Sequence, residues 1–382
     1  MPPPGGARIA GKLLDHNFTG TPFTVGIEEE LMICDAETLD LAQGIESILR
    51  ALPDDFTGYV KPELMQSVLE VATLPCADVS EAATQLADLR RLVREVAAGE
   101  GMTIGASGTH PAANYEDQLI VDLPRYKELA AELGWIAERE LIFGTHVHIG
   151  IDDAEKAIYV ADGIRGYLPL LLGMSSNSPL WQGRNTGMMS ARTPVFRGFP
   201  RVGIPPYYGS WEIYSHRVEL MMRGGAIPDY TYLWWDVRPH PNLGTVELRV
   251  FDQQTRLEHT IGFAALTQAL VHRLAANYDE GVPSVEHPWE LIDDNKVRAA
   301  LVGIEGKLID FERGFEVPGA ELVRGIISDL REHAEELGCE AELSSLTDLL
   351  DHGTGARRQL NWLESHGGFE GLMREVVDAT EP

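Results

Sequence analysis

Residues 24–33, TVGIEEELMI, place three consecutive carboxylates inside a run that otherwise has the apolar character of a buried β-strand. Successive side chains of a strand face opposite sides, so Glu28 and Glu30 project together while Glu29 points to the other face. Two side chains on one face lie about 7 Å apart. Burying two like charges at that distance is costly unless a cation neutralises them or one is protonated. The stretch therefore predicts a strand that binds a cation or, as the simpler alternative, has one face in solvent.

Three further stretches repeat this arrangement, with polar groups on one strand face and aliphatic side chains on the other. The polar pairs are Gln66 with Glu70 at SVLEVAT (67–73), His146 with His148 in GTHVHIGI (144–151), and Glu247 with Arg249 in GTVELRVFD (244–252). A lone core histidine is usually structural, whereas two that face the same way in strand register are less often so. Four such strands in one antiparallel sheet would line a single trough.

The trough predicts a metal-dependent site. Oxygen ligands on rigid strands suit a hard cation such as Mg²⁺, with Mn²⁺ as the alternative, and Mg²⁺ commonly bridges carboxylates to the phosphates of ATP. The chain has no HExxH pattern, which argues against a thermolysin-like zinc protease. A metal-dependent hydrolase that uses His146 and His148 stays open, as does a binding protein without turnover.

A segment rich in Gly, Pro, Ser and Arg spans residues 175–206. Loops of this length are uncommon in compact domains unless they are functional or disordered. Between Trp181 and Arg256 the chain has nine arginines, no lysine and six acidic residues. Arginine binds phosphate and carboxylate through paired hydrogen bonds, so the segment predicts an anion site that folds over the trough. The alternative is that these arginines pair with surface acids elsewhere.

Composition limits the partners. The 382 residues include 31 basic and 59 acidic ones, a net charge of −28, which argues against nucleic acid or an anionic membrane. Residues 1–22 contain no sustained apolar segment and are interpreted as a flexible leader, so a cytoplasmic protein is expected. The three cysteines form no metal-binding pattern and are expected to be reduced.

The fold class predicted from these patterns is α+β. An antiparallel sheet lines the trough, and helices pack on its outer face; the family resemblance described below implies that this site is funnel-like. Helical periodicity is expected near residues 80–99, 124–141 and 154–172, and in a helical C-terminal portion with segments near 257–278, 288–301, 320–337 and 356–378. Residues 23–382 are expected to form a single catalytic domain.

Five motifs carry a resemblance to a known family: VGIEEEL, QSVLEVAT, THVHIG, SPLWQGRNTG and WWDVRPHPNLGTVELRVFD. Together, in this order and spacing, they resemble the glutamate-cysteine ligase type 2 family of carboxylate-amine ligases. The resemblance implies a fold similar to the glutamine synthetase catalytic domain, with Mg²⁺ and ATP in the funnel. It also implies that ATP phosphorylates the substrate carboxylate and that an amine then displaces phosphate, with L-glutamate and L-cysteine as the default substrates and a homodimer as the expected assembly.

The resemblance also assigns residues. Positions that match the family's metal-binding residues are Glu28, Glu30, Glu70, His146 and Glu247, and Arg249 matches the arginine beside the transferred phosphate. Glu247, Arg249 and Arg192 are the expected catalytic residues. Arg184, Arg192, Arg238 and Gln66 are expected to bind substrate or nucleotide. The amine acceptor stays open, since Trp181, Trp211, Trp234 and Trp235 are candidates for an acceptor pocket but equally for core aromatics.

Overall fold

The computed structural model describes residues 13–56 and 58–382, which form helices around one large antiparallel sheet. The strands are β1 (Val25–Asp35), β2 (Val60–Pro62), β3 (Val68–Ala72), β4 (Met102–Gly105), β5 (Gly144–Gly150), β6 (Leu180–Trp181), β7 (Arg184–Asn185), β8 (Val202–Gly203), β9 (Trp234–Trp235), β10 (Val237–His240), β11 (Thr245–Asp252), β12 (Lys307–Asp310) and β13 (Phe315–Pro318). The large sheet has the strand order β10-β11-β5-β1-β3-β2, and β4 pairs with the far end of β1. The predicted α+β fold with an antiparallel sheet is confirmed.

Helices make up most of the remaining structure. They are α1 (Ile45–Ala51), α2 (Val79–Gly99), α3 (Pro124–Leu133), α4 (Trp135–Glu138), α5 (Ala154–Ile164), α6 (Leu168–Ser175), α7 (Arg192–Phe196), α8 (Trp211–Arg223), α9 (Leu257–Asp279), α10 (Trp289–Val302), α11 (Gly319–Asp329), α12 (Arg331–Leu337), α13 (Glu340–Ser345), α14 (Asp348–His352), α15 (Gly355–His366) and α16 (Phe369–Ala379), with 3₁₀ turns at Asp54–Phe56, Tyr115–Asp117 and Tyr230–Tyr232. No helix within the described residues is long and apolar enough to cross a membrane.

The aliphatic face of the sheet carries the main core. Ile27, Val147 and Leu248 are fully buried there, among apolar side chains of α2, α5, α6 and α9. Burial of each such side chain contributes roughly 1.5–3 kcal/mol relative to an exposed one. Because β-strands alternate faces, this packing fixes the register of the strands and leaves their polar side chains on the opposite face.

A second, smaller core closes one end of the polar face. Met32, which follows Glu30 on that face, packs there with Phe143 and with Leu372 and Met373 of α16. Apolar side chains of α3 and α4 pack against the same cluster. The polar face is therefore a trough with one filled end, and the end that carries Glu28 and Glu30 stays open to ligands.

Some predicted helix boundaries differ from the structure because capping and glycine conformation decide them. The pattern over 124–141 divides at Gly134, whose φ of 55° is unfavourable for other residues. Residues 356–378 divide in the same way at Gly367. The cap of α2 is Asp78 rather than Ser80: its Oδ1 accepts the N–H of Glu81 at 2.8 Å, and the Glu81 carboxylate accepts the N–H of Ala77 at 2.7 Å.

The chain ends and cysteines give mixed outcomes. Of the predicted leader, residues 1–12 lie outside the described residues, but Phe18 is buried in the main core and the Asn17 N–H donates to the Pro241 carbonyl at 2.8 Å. This part of the chain is packed, so the expected leader does not extend to residue 22.

The predicted helical C-terminal portion is mostly helical but contains the β12–β13 hairpin. The three cysteines are free and buried, as predicted.

Glu29 occupies the aliphatic side of β1, where its carboxylate is fully buried. Arg90 of α2 donates to both of its oxygens, at 2.6 and 2.7 Å, and Gln253 and Thr260 donate at 2.8 and 2.6 Å. Arg90 also donates to the carbonyls of residues 254, 255 and 380. The pair therefore joins β1, α2, α9 and the C-terminal segment behind the trough.

Arg90→Ala should lower the free energy of unfolding by about 3–5 kcal/mol, because it leaves a buried carboxylate without its counter-charge. Arg91→Ala is the matched control, since Arg91 is exposed and its ion pair among the described residues is with the exposed Asp88, an interaction of at most about 1 kcal/mol. Urea unfolding of both variants measures the difference. Equal losses for the two variants would contradict the role given to Arg90.

Candidate active site

The strand register brings the predicted polar residues into direct opposition across the trough. Glu28 of β1 pairs with His146 of β5, and Glu30 of β1 pairs with Glu70 of β3. On the other side of β5, His148 pairs with Glu247 of β11, which in turn pairs with Arg238 of β10. Four predicted strands thus contribute to one continuous polar surface.

Two groups of side chains in this surface have the spacing of metal ligands. Ligand atoms of Glu28, Glu70 and His146 lie within 4.8 Å of one another, and so do those of Glu28, His148 and Glu247. The Nδ1 of His146 is 3.1 Å from Oε2 of Glu28, and the Nε2 of His148 is 3.7 Å from the same oxygen. The Nε2 atoms of both histidines are buried and have no hydrogen-bond partner among the described residues.

Glu247 is held by two arginines at the base of the trough. Arg238 donates to its Oε2 at 2.7–2.8 Å and Arg249 to its Oε1 at 2.5 Å. Burial alone would raise the pKa of Glu247, but these two guanidinium groups hold it well below its usual range. The Arg249 side chain emerges beside a bulge between Leu248 and Phe251, and its Nε has no partner among the described residues. Arg249 thus keeps a donor free toward the trough.

Arg192 begins α7, inside the predicted arginine-rich segment, and lines a small cavity together with Glu30, His146 and Arg249. Its Nη2 lies 3.3 Å from the Arg249 carbonyl, and its buried Nε lacks a partner within the described part of the chain. Asp252 holds the segment that carries Arg192 in place. It accepts hydrogen bonds from the hydroxyls of Ser178 and Ser190 at 2.7 and 2.9 Å, and it lies 4.0 Å from Arg192.

Two of the predicted substrate-binding residues lie elsewhere. Arg184 is exposed on the β6–β7 hairpin, where it pairs with Trp181 across the strands. Gln66 precedes β3, and its backbone bonds to Leu119 and Ile45. Neither residue lines the trough cavity. The positions of Arg184 and Gln66 therefore do not support their predicted roles in substrate binding. Arg184 lies away from the trough because the segment 175–206 turns toward it only from Arg192 onward.

The trough contains a cavity of about 320 Å³. Its polar wall includes Glu28, Glu30, Glu70, His146 and Arg249. Five aromatic side chains also line it, namely Tyr126, Phe196, Phe199, Tyr232 and Trp234. Of the four candidate tryptophans, only Trp234 lines this cavity; Trp211 packs in the main core and Trp181 stacks on Tyr115. The cavity therefore offers both ionic and aromatic groups to a ligand.

Comparison with known proteins identifies the family. Residues 24–377 match the sequence profile of glutamate-cysteine ligase family 2. The chain belongs to this family. A protein from Rubrobacter xylanophilus, provisionally named glutamate–cysteine ligase 2-1, is 41% identical over 97% of this chain and 98% of its own length. A protein from Sorangium cellulosum with the provisional name glutamate–cysteine ligase 2 is 38% identical over 93% and 96%.

Solved structures show the same fold at low identity. The glutamate–cysteine ligase of Francisella tularensis, crystallised in complex with AMP, has a TM-score of 0.69 at 13% identity and covers 96% of this chain and 89% of that one. The bifunctional glutathione synthetase of Pasteurella multocida has a TM-score of 0.68 at 15% identity; the match covers 94% of this chain but only 52% of that one. The family membership predicted from the five motifs is confirmed, and the chain is an ATP-dependent carboxylate-amine ligase of the glutamate–cysteine ligase kind.

The ligase trough contains further ionisable groups that the sequence reasoning missed. Glu63, in the loop after β2, and Glu140, after α4, line it together with Lys61. Glu63 and Glu140 lie outside the strands, and Lys61 lies in β2, which has only three residues. No alternating pattern in the sequence therefore marks any of the three. Lys61 could have been assigned through its pairing with Glu70, at 3.1 Å, had the β2–β3 register been known. His148, which was predicted to face the trough but was not among the metal ligands implied by the resemblance, joins one of the two ligand groups.

The carboxylates differ in how well their charge is compensated. Burial would raise the pKa of Glu28, but the hydrogen bond with His146 and the nearby imidazole of His148 outweigh it and hold this pKa well below its usual range. Burial and the negative charge on Glu28 raise the pKa of Glu70 to about 7, although the positive charge of Lys61 acts in the opposite direction. Burial together with repulsion from Glu30 raises the pKa of Glu140 to about 8. The trough therefore contains carboxyl groups whose ionisation its own cations do not fully compensate.

The raised pKa values predict a pH dependence of stability. An unfolded glutamate has a pKa of about 4.3, so above this pH the folded chain keeps protons on Glu70 and Glu140 that the unfolded chain has lost. The stability of the metal-free ligase should then fall as pH rises from about 5 to about 8. Glu140→Gln should flatten this fall in thermal unfolding measured in EDTA. The exposed Glu138→Gln on α4 should not, and equal pH slopes for both variants would refute the assignment.

Proposed function

We propose that this ligase joins the γ-carboxyl group of L-glutamate to the amine of L-cysteine, forming γ-glutamylcysteine with conversion of ATP to ADP and phosphate. The observation that carries the proposal is the opposition of Glu28 with His146 and of Glu247 with His148 beside Arg249 on one sheet face. In a ligase family, such a surface is suited to phosphoryl transfer, which depends mainly on positioning and charge neutralisation. Membership of the ligase family weighs against the metal-dependent hydrolase that the sequence left open.

The residues present fit a divalent cation. Glu28, Glu30, Glu70, His146 and Glu247 are the proposed ligands for Mg²⁺ or Mn²⁺, and His148 is an additional candidate. The fit rests on the two buried, unpartnered Nε2 atoms and on the incompletely compensated carboxyl groups of the trough. When bound, the cation would neutralise the phosphate charges of ATP. Glu30 is the weakest member, since among the described residues it falls outside both ligand groups and its Oε2 accepts the Gly144 N–H at 2.5 Å.

Arg249 and Arg192 are proposed to stabilise charge during the reaction. One oxygen of the glutamate γ-carboxylate attacks the γ-phosphorus of ATP, and ADP leaves. The amine nitrogen then attacks the acyl carbon and loses a proton, and inorganic phosphate leaves with that oxygen. Both arginines line the small cavity beside Glu30 and His146 and have a buried Nε without a described partner, so they are proposed to donate to the transferred phosphoryl group. Arg238 is proposed to act through Glu247, which it fixes, rather than on substrate.

A different amine acceptor is the second candidate. The cavity lining includes the aromatic rings of Tyr126, Phe199 and Trp234, which can pack against an apolar or aromatic acceptor. The phosphoryl-transfer chemistry would be unchanged with a larger apolar or aromatic amine. Only the group that accepts the activated glutamate would differ.

ADP release tests both candidates. Purified protein is incubated with Mg²⁺-ATP and L-glutamate, alone and with each of a panel of amines that includes L-cysteine and aromatic amines. Strong stimulation by cysteine, with γ-glutamylcysteine detected by mass spectrometry, is the expected result. Stimulation by another amine would replace the acceptor and retain the mechanism, and no ADP under any condition would overturn the proposal.

Arg192→Ala should reduce kcat/KM by roughly 100-fold, the loss typical when one preorganised donor to a developing charge is removed. Arg197→Ala is the matched control, because Arg197 lies one turn later, is exposed and pairs with Asp293. Steady-state kinetics of both variants, with thermal unfolding to verify the fold, make the comparison. Unchanged kinetics for Arg192→Ala would remove this arginine from the site.

A further inference from the structure

A third group of metal-ligating side chains lies on the opposite side of the sheet from the trough. His272 belongs to α9, which packs on the aliphatic face of β1 and β5, and His333 and Glu336 belong to α12. Ligand atoms of the three residues lie within 4.8 Å of one another. None of the three residues lines the trough cavity or has a role in the proposed ligase reaction.

The geometry of the two imidazoles is unusual for residues that only pack. Their Nδ1 atoms lie 3.0 Å apart, and the Nε2 of His272 is 3.8 Å from Oε2 of Glu336. At most one proton can occupy the space between the two Nδ1 atoms, so at least one imidazole presents a lone pair to the other. Neighbouring ligands of a tetrahedral zinc ion lie about 3.3 Å apart when the bonds are about 2.0 Å long. The distance between the two Nδ1 atoms needs only a small adjustment to match, and a carboxylate oxygen of Glu336 lies within 4.8 Å of a ligand atom on each imidazole.

One side of this group of residues is covered by an aromatic ring, and the other side is exposed to solvent. The ring of Phe23 packs edge-on against His272 with the centroids 4.7 Å apart. Phe23 is itself fixed, because Gln268, one turn before His272 on α9, donates to its carbonyl at 2.8 Å. On the other side, the Glu336 side chain is 59% exposed, whereas that of His272 is 19% exposed. His333 and Glu336 lie one helical turn apart, so both reach the same point beside α9.

We propose that His272, His333 and Glu336 form a Zn²⁺ site that joins α9 to α12. Two imidazoles and one carboxylate are a ligand set that zinc accepts, with water as the fourth ligand on the exposed side. The ion would connect an outer helix of the C-terminal portion to the helix that lies directly behind the catalytic sheet. This site is independent of the proposed ligase function, because it shares no residue with the trough.

The test counts Zn²⁺ per chain. Full-length protein freed of metal with EDTA is titrated with Zn²⁺ against a chromophoric chelator in excess Mg²⁺, and thermal unfolding is recorded in parallel. The wild type should bind one more tight Zn²⁺ than His333→Ala, and at about 100 times the Kd its Tm should rise by roughly 3 °C, a shift that the variant lacks. The trough also contains carboxylates and imidazoles, so the difference between proteins, not the total count, carries the conclusion.

Two further variants make the result decisive. Glu336→Gln alters an exposed position, so it keeps the test valid if His333→Ala does not fold, and it should weaken the extra Zn²⁺ site by at least roughly 10-fold. His366→Ala is the matched control, because His366 belongs to an exposed His–Glu pair with Glu375 and should behave as the wild type. Equal Zn²⁺ counts and equal Tm shifts in the wild type, His333→Ala and Glu336→Gln would overturn the proposal.

Discussion

Repulsion between carboxylates on one rigid sheet face is the constraint on which the active site depends. Glu30 and Glu70 stand directly opposite each other in antiparallel register, and Glu28 follows on the same face. Imidazoles compensate Glu28 and guanidinium groups compensate Glu247. Glu70 retains a raised pKa even with Lys61 beside it. The trough is therefore electrostatically incomplete without added cations, which suits a substrate that arrives with its own metal ion, such as ATP.

The rear of the sheet holds this arrangement in place. Like charges would separate if the strands could shift, but the aliphatic face is packed against four helices and the buried Glu29 carboxylate is held by Arg90, Gln253 and Thr260. Asp252 has a similar role at the end of β11, where it accepts from the hydroxyls of Ser178 and Ser190 in the segment that carries Arg192. The same strands thus hold buried structural charges on one face and the charged residues of the candidate site on the other.

Most residues of the candidate site could be predicted from strand periodicity. The alternation of side chains between the two faces of a strand can be read from the sequence without knowledge of the tertiary structure. Glu28 and Glu30 face the trough and Glu29 does not, and the alternation was equally informative for His146, His148, Glu247 and Arg249. Glu63 and Glu140 were missed because they lie in loop segments, where the chain path rather than a repeat brings a side chain to the site. Arg184 was included because composition alone cannot separate it from Arg192, although only Arg192 begins a helix at the trough. The division of the helix at Gly134 depended on backbone conformation, which hydrophobic periodicity does not report.

The central claim is that the trough activates a carboxylate by phosphoryl transfer from ATP. The most direct test supplies L-glutamate labelled with ¹⁸O at both γ-carboxyl oxygens, with Mg²⁺-ATP and the amine that supports turnover, and analyses the released inorganic phosphate by mass spectrometry. Transfer of one ¹⁸O atom into each phosphate is the result expected if the γ-carboxylate is the group phosphorylated. Phosphate without ¹⁸O, released together with amide product, would contradict the account.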